Sequence, residues 1–215
     1  RGFFTDISGR AGLAGSSRPF MGWGTFFFDY DQDGWQDLFV ANGHLLPAID
    51  RAGGGLRYRQ RNQLYRNLGN GRFREVSIDT SQSARQVSRG AAYGDYDEDG
   101  DLDILVCNLD AKPTLLRNDV PGKGHWIILA LRSGDLEAVG ARVFVDTGDQ
   151  RQIREVQTGS SFQSQSDTRL HFGLESAIAA DIDIIWPGGQ RQVFHAVPAN
   201  HHYTIRRGVD RLITE

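Results

Sequence analysis

At 215 residues, 39% hydrophobic and 24% charged, the chain is long enough to bury one large core or two modest ones. Its formal net charge of -3 gives no electrostatic reason to expect nucleic acid or an anionic membrane surface, and much of the acid sits in two short stretches. No apolar run approaches the roughly 20 residues that span a bilayer, no signal-peptide pattern stands at the start, and a single cysteine, Cys107, excludes an internal disulfide.

The 26 glycines, with short runs rich in Phe, Val and Ile set between Gly and Asn turns, are the composition of an all-β protein. The chain starts at Arg1 and its only methionine is Met21, so a processed or cropped chain is expected. Residues 1–8, RGFFTDIS, resemble the later strand around Phe73: Phe4, Ile7 and Ser8 answer to Phe73, Val76 and Ser77, as if the chain opened on the tail of a preceding unit. Next comes DYDQDGWQD, Asp29 to Asp37, followed at once by the apolar run Leu38-Phe39-Val40. Residues 44–61 carry a Gly triplet and several arginines and read as a long surface loop, in which Arg57, Tyr58, Arg59 and Arg61 face solvent or an anionic partner. The stretch 62–67, an Asn-Gly turn region and 71–76 read as strand, turn, strand.

A shift of 66 residues lays this pattern on a second copy, DYDEDGDLD, Asp95 to Asp103, followed by Ile104-Leu105-Val106. In that alignment Ala41 falls on Cys107, which predicts a small buried strand residue at the cysteine. The second copy ends at 114–118, and Pro121-Gly122-Lys123-Gly124 reads as a linker. Beyond it the aspartate loops stop. Strands are expected over 125–131, 141–146, 151–157, 161–165, 170–172, 181–186, 190–194 and 202–206, several with apolar alternation, which makes a small β-sandwich.

Each aspartate loop places carboxylates at positions 1, 3, 5 and 9 and a glycine at 6. So many like charges in nine residues repel unless a cation sits among them, and hard oxygen donors at alternate positions are what Ca²⁺ takes. The glycine lets the backbone turn so that position 7 offers its carbonyl. The expected sets are Asp29, Asp31, Asp33, the Trp35 carbonyl and Asp37, then Asp95, Asp97, Asp99, the Asp101 carbonyl and Asp103. An EF-hand is excluded, because position 12 is Val40 or Val106 rather than Glu and strands, not helices, follow. Enzymatic signals are thin. The six histidines show no metal-ligand spacing, no G-x-S-x-G elbow surrounds Ser160-Ser161, and Gly122-Lys123-Gly124 lacks a phosphate-loop context.

These motifs resemble known families. The glycine and aromatic ahead of each loop, the aspartates, the strand and the following Leu-(Tyr/Leu)-Arg-Asn resemble the FG-GAP (or VCBS) repeat over residues 1 to about 119, a blade of integrin-type β-propellers whose first inter-strand loop binds calcium. Gly140-Ala141-Arg142-Val143, Gly159-Ser160-Ser161-Phe162, Leu170-His171-Phe172-Gly173 and Trp186-Pro187-Gly188-Gly189 are similar to the ASPIC/UnbV domain over about residues 124–207, and the combination resembles the secreted cartilage acidic protein-like family. The resemblance implies an all-β fold with a partial β-propeller of about two FG-GAP blades in residues 1–120 and an ASPIC/UnbV-like sandwich in 121–215. It implies a secreted module, extracellular or periplasmic, with two structural Ca²⁺ ions, a protein or glycan partner, and further propeller blades in the same or another chain. An enzyme or enzyme accessory of natural-product or glycan metabolism is the alternative, and a structural subunit of a larger extracellular assembly is a third reading. In the first of these, loss of calcium loosens the blades more than the sandwich.

Overall fold

A computed structural model describes residues 2–52, 54–78 and 85–214. After a short helix (α1, Ala14–Ser17), four strands form an antiparallel meander: β1 (Gly22–Phe28), β2 (Asp37–Asn42), β3 (Gln63–Asn67) and β4 (Phe73–Val76). A three-stranded meander of the same register follows, β5 (Ser88–Gly94), β6 (Asp103–Asn108) and β7 (Thr114–Leu116). The two sheets pack face to face. Phe26, Phe28, Phe39 and Ala41 of the first meet Ala91, Ile104 and Val106 of the second, with the Tyr93 ring 5.0 Å from that of Phe26.

Stacked repeats turn the same face in the same direction, so the front of one sheet meets the back of the next. That rule explains one correction. Ala41 is fully buried, whereas Cys107, its equivalent in the second sheet, is exposed on the face turned away from the first. Leu105 and Leu115 stand exposed on the second sheet, and Phe27 is 51% exposed on the opposite side of the first. These outer faces are the ones that flanking blades cover in a propeller.

The remaining strands are β8 (His125–Ser133), β9 (Leu136–Glu137), β10 (Arg142–Asp146), β11 (Arg151–Glu155), β12 (Leu170–Glu175), β13 (Ala179–Ile185), β14 (Arg191–Pro198), β15 (His201–Arg206) and β16 (Leu212–Thr214). They make two sheets, in the orders β12-β8-β15-β16 and β11-β10-β13-β14, with β9 on β8; β8 and β15 run parallel and the other pairs antiparallel. Alternate residues of each sheet, among them Ile127, Leu129, Val143, Val145, Ile182, Ile184 and Ile205, interdigitate around Phe172 and Trp186 to form a sandwich core.

The strand expected at 161–165 is absent: the segment makes one isolated bridge, Ser161 to Ser164. Its serines instead cap the open edges of β1 and β5. Ser161 Oγ accepts from Thr25 N–H at 2.8 Å and donates to Thr25 C=O at 2.9 Å, Ser164 Oγ donates to Ala91 C=O, and Ser166 Oγ accepts from Tyr93 N–H. A segment rich in short hydroxyl side chains satisfies edge-strand backbone without forming a ladder of its own. The 44–61 loop contains a 3-10 turn, Pro47–Arg51, and two of its arginines have internal partners: Arg59 bonds Gln86, and Arg61 pairs with Glu75.

Candidate metal centres

The loop Asp29–Asp37 joins β1 to β2, and Asp95–Asp103 joins β5 to β6. Their internal hydrogen bonds coincide one for one. Gly34 N–H donates to Asp29 Oδ2 at 2.8 Å and Gly100 N–H to Asp95 Oδ2 at 3.0 Å. Tyr30 and Asn67 N–H both reach Asp37, at 3.2 and 2.7 Å, as Tyr96 and Asn118 N–H reach Asp103, at 3.0 and 2.8 Å. The glycines hold φ of 83° and 91°, which an L side chain rarely adopts, so the turn at position 6 requires glycine.

This framework leaves specific oxygens without partners. Asp29 Oδ1, Asp31 Oδ1 and Asp95 Oδ1 are buried and accept no hydrogen bond among the described residues. Ligand oxygens of Asp29, Asp31 and Asp37 lie within 4.8 Å of one another, as do those of Asp95, Asp97 and Asp99. Asp33 turns one oxygen to Trp35 N–H and the other to Arg66, 3.2 Å away, and Arg66 also reaches Asp31 at 2.7 Å. Asp103 stands outside the second trio although its oxygens accept the same two backbone N–H groups as those of Asp37, and the Asp101 carboxylate faces Lys123 and Gln32. Trp35 exposes its indole, which packs beside Gly69; no described hydrogen bond occupies the Trp35 or Asp101 carbonyl.

Burial is the main force on these carboxyls. It pushes Asp29 up to about 7 and Asp37 up to about 8, and it raises Asp31, Asp95, Asp99 and Asp103 as well, with neighbouring aspartates adding repulsion in each loop. A buried carboxylate with an orphaned oxygen favours protonation or a cation, and a divalent ion reverses the shift by supplying the opposite charge. All-oxygen donors at this spacing suit a hard cation such as Ca²⁺.

Both loops also lie against the sandwich, which the sequence did not reveal. Gln32 C=O accepts from Glu175 N–H at 2.9 Å, while its side-chain amide donates to Gly100 C=O and to Asp101 at 3.1 and 2.7 Å, tying loop to loop. His171 Nε2–H donates to Gly100 C=O at 3.0 Å; burial pulls its pKa down to about 4, so the ring is neutral. His202 Nε2 sits 3.6 Å from Asp95 Oδ2, and Arg169 donates to Asp95 C=O at 3.4 Å. A Cβ at Gly173 would lie 2.2 Å from Asp29 Oδ2, so only glycine allows β12 this close to the first loop. The stretch 121–124 is pinned rather than free, with Lys123 paired to Asp101 and donating to Asn118 C=O.

Residues 29–106 match the FG-GAP-like repeat family, and residues 132–211 match the ASPIC and UnbV family. The chain therefore carries an FG-GAP-like repeat followed by an ASPIC/UnbV domain. That pair marks an extracellular-type repeat module. FG-GAP repeats are typical of extracellular proteins, and no described helix is long and apolar enough to cross a membrane. No curated protein matches the chain.

Proposed function

We propose that the protein is a secreted, calcium-dependent interaction module in which two Ca²⁺ ions hold the blade loops in shape and present the propeller and sandwich surfaces to a protein or glycan. The observation that carries this reading is the set of buried, partnerless carboxylate oxygens, Asp29 Oδ1, Asp31 Oδ1 and Asp95 Oδ1. Calcium supplies charge neutralisation and coordination there. The chain's own residues orient the carboxylates through the Gly34 and Gly100 N–H groups and the backbone donors to Asp37 and Asp103. In this reading the first unit ends near residue 120 and the second begins with 121–124, between the two matched ranges.

Thermal melting in calcium and in chelator tests the proposal. A site of extracellular strength, Kd on the order of 0.1 to 1 mM, filled to about a hundredfold excess adds about 2.7 kcal/mol, so calcium raises Tm by several degrees. The Asp29→Asn, Asp95→Asn double variant loses most of that increment. An unchanged transition in the native sequence rejects the reading.

A further inference from the structure

Between the first blade sheet, the second and β11 lies a cavity of about 480 Å³, in the range of small-molecule sites. It runs along the edge of β1, where Phe26 and Phe28 turn toward the second sheet and Phe27 and Leu38 toward the other face, with Tyr93 beside them. Arg154 from β11 also lines it. Two of its N–H groups are used, by Ile153 C=O at 2.9 Å and Gln152 Oε1 at 3.2 Å, and its guanidinium lies 5.4 Å from the Phe172 ring centre. Among the described residues it forms no ion pair. By contrast, Arg169 at the same cavity is held by Asp167 at 2.7 Å. The Tyr93 hydroxyl likewise has no described hydrogen-bond partner, while its backbone is bound by Ser166 and Asp167.

A half-buried guanidinium with free donors, attracted by Asp29 but in no close ion pair, in a cavity of this size lined also by phenylalanines, can take a further anion. We propose that the cavity binds a small aryl carboxylate, its carboxylate on Arg154 and the Tyr93 hydroxyl and its ring against the phenylalanine-lined edge of β1. Arg supplies the planar fork that a carboxylate matches bidentately, and a ring edge-on to phenylalanines gains more than an aliphatic body of equal size. Two carboxylates of the protein also line the cavity. Glu155 has an exposed side chain, and Asp29, whose Oδ2 accepts from Gly34 N–H, attracts Arg154 without a close ion pair. If Asp29 carries calcium, as proposed above, the ion cancels the negative charge nearest Arg154 and acid binding tightens. That coupling rests on the calcium reading; the acid site itself does not.

Titration calorimetry with phenylacetate and with phenylacetamide, its uncharged counterpart, tests the site in the native chain. The acid binds at least about tenfold tighter than the amide, the difference that a charge-assisted bidentate contact contributes. Equal affinities, or no binding of either, overturn the proposal whatever any variant does. Arg154→Gln removes the preference for the acid, Arg154→Lys retains part of it, and Phe27→Ala weakens acid and amide alike; an unaltered preference in Arg154→Gln also overturns it. Repeating the acid titration in chelator separates the two ideas. Melting of the ligand-free chain reports calcium alone, and an acid affinity that is identical with and without calcium, when calcium does stabilise the chain, rejects the coupling.

Discussion

At the scale of single residues, His171 is where burial and loop packing meet. The ring sits under the second loop with Nε2–H on Gly100 C=O, and its Nδ1 is buried without a partner. Charging it inside the protein is unfavourable, so its folded pKa of about 4 lies below the ordinary 6.5. Between those values the unfolded chain binds a proton that the folded chain does not. The stability is therefore complete above pH 6.5 and is lost as pH falls toward 4, by about 3 kcal/mol in total. In excess calcium, which on the proposed binding keeps the loop carboxyls ionised, His171→Gln keeps an N–H donor for Gly100 and removes the titration. Urea midpoints of the native chain should fall steeply from pH 7 to pH 4.5 and those of the variant should fall less. Equal slopes would assign the acid sensitivity elsewhere. Gly173 is a second residue of this kind: its missing side chain is what lets a sandwich strand touch Asp29.

Among the elements, the segment 159–167 has the clearest consequence. Its hydroxyls take the place of a neighbouring strand along β1 and β5, so Ser161→Ala with Ser166→Ala exposes the Thr25 and Tyr93 N–H groups. Each net hydrogen bond contributes about 1 kcal/mol, and the double variant should lose about 2 to 3 kcal/mol in denaturant titration, with faster amide exchange at Thr25 and Tyr93 and unchanged exchange at Phe26. Protection that persists at Thr25 would mean that water or another group replaces the serine at no cost. The same segment marks where sequence reading stopped. The aspartate loops, the glycine turns and the alternating strands are local patterns, and they were legible because period and turn chemistry act over a few residues. Cys107 departs from its expected burial because the shift of 66 preserves strand position, but among the described residues no sheet covers the outer face of the second, so the same position is core in one blade and surface in the other. The serines of 161–166 have strand-like spacing, and only the distant edges of β1 and β5 decide that they act as caps. Gln32, buried between the two loops, carries no sequence signal at all; its role depends on contacts 68 and 69 residues away.

For the whole molecule, the placement of both loops against the sandwich changes what calcium is expected to control. Read from sequence, loss of the ions loosens the blades and spares the second unit. In the fold, the first loop touches Gly173 and Glu175, and the second touches His171 and His202. Three of those four residues belong to β12, an edge strand whose one sheet neighbour is β8, and His171 and Gly173 meet the loops on its outer face, opposite Leu170, Phe172 and Leu174 in the core. An edge strand without that support opens at low free energy. Chelation should therefore raise amide exchange in Asp29–Asp37, in Asp95–Asp103 and in β12 together. The strands β10 and β13, whose Val143, Val145, Ile182 and Ile184 are fully buried in the sandwich core, should keep their protection. Exchange mapped with and without calcium distinguishes this from a purely local effect: if β12 is indifferent to chelator while the loops open, the junction is held by its side-chain contacts alone. If β12 opens with the loops, the ions govern how the blades are mounted on the sandwich, and any partner that bridges both surfaces becomes calcium-dependent through that joint.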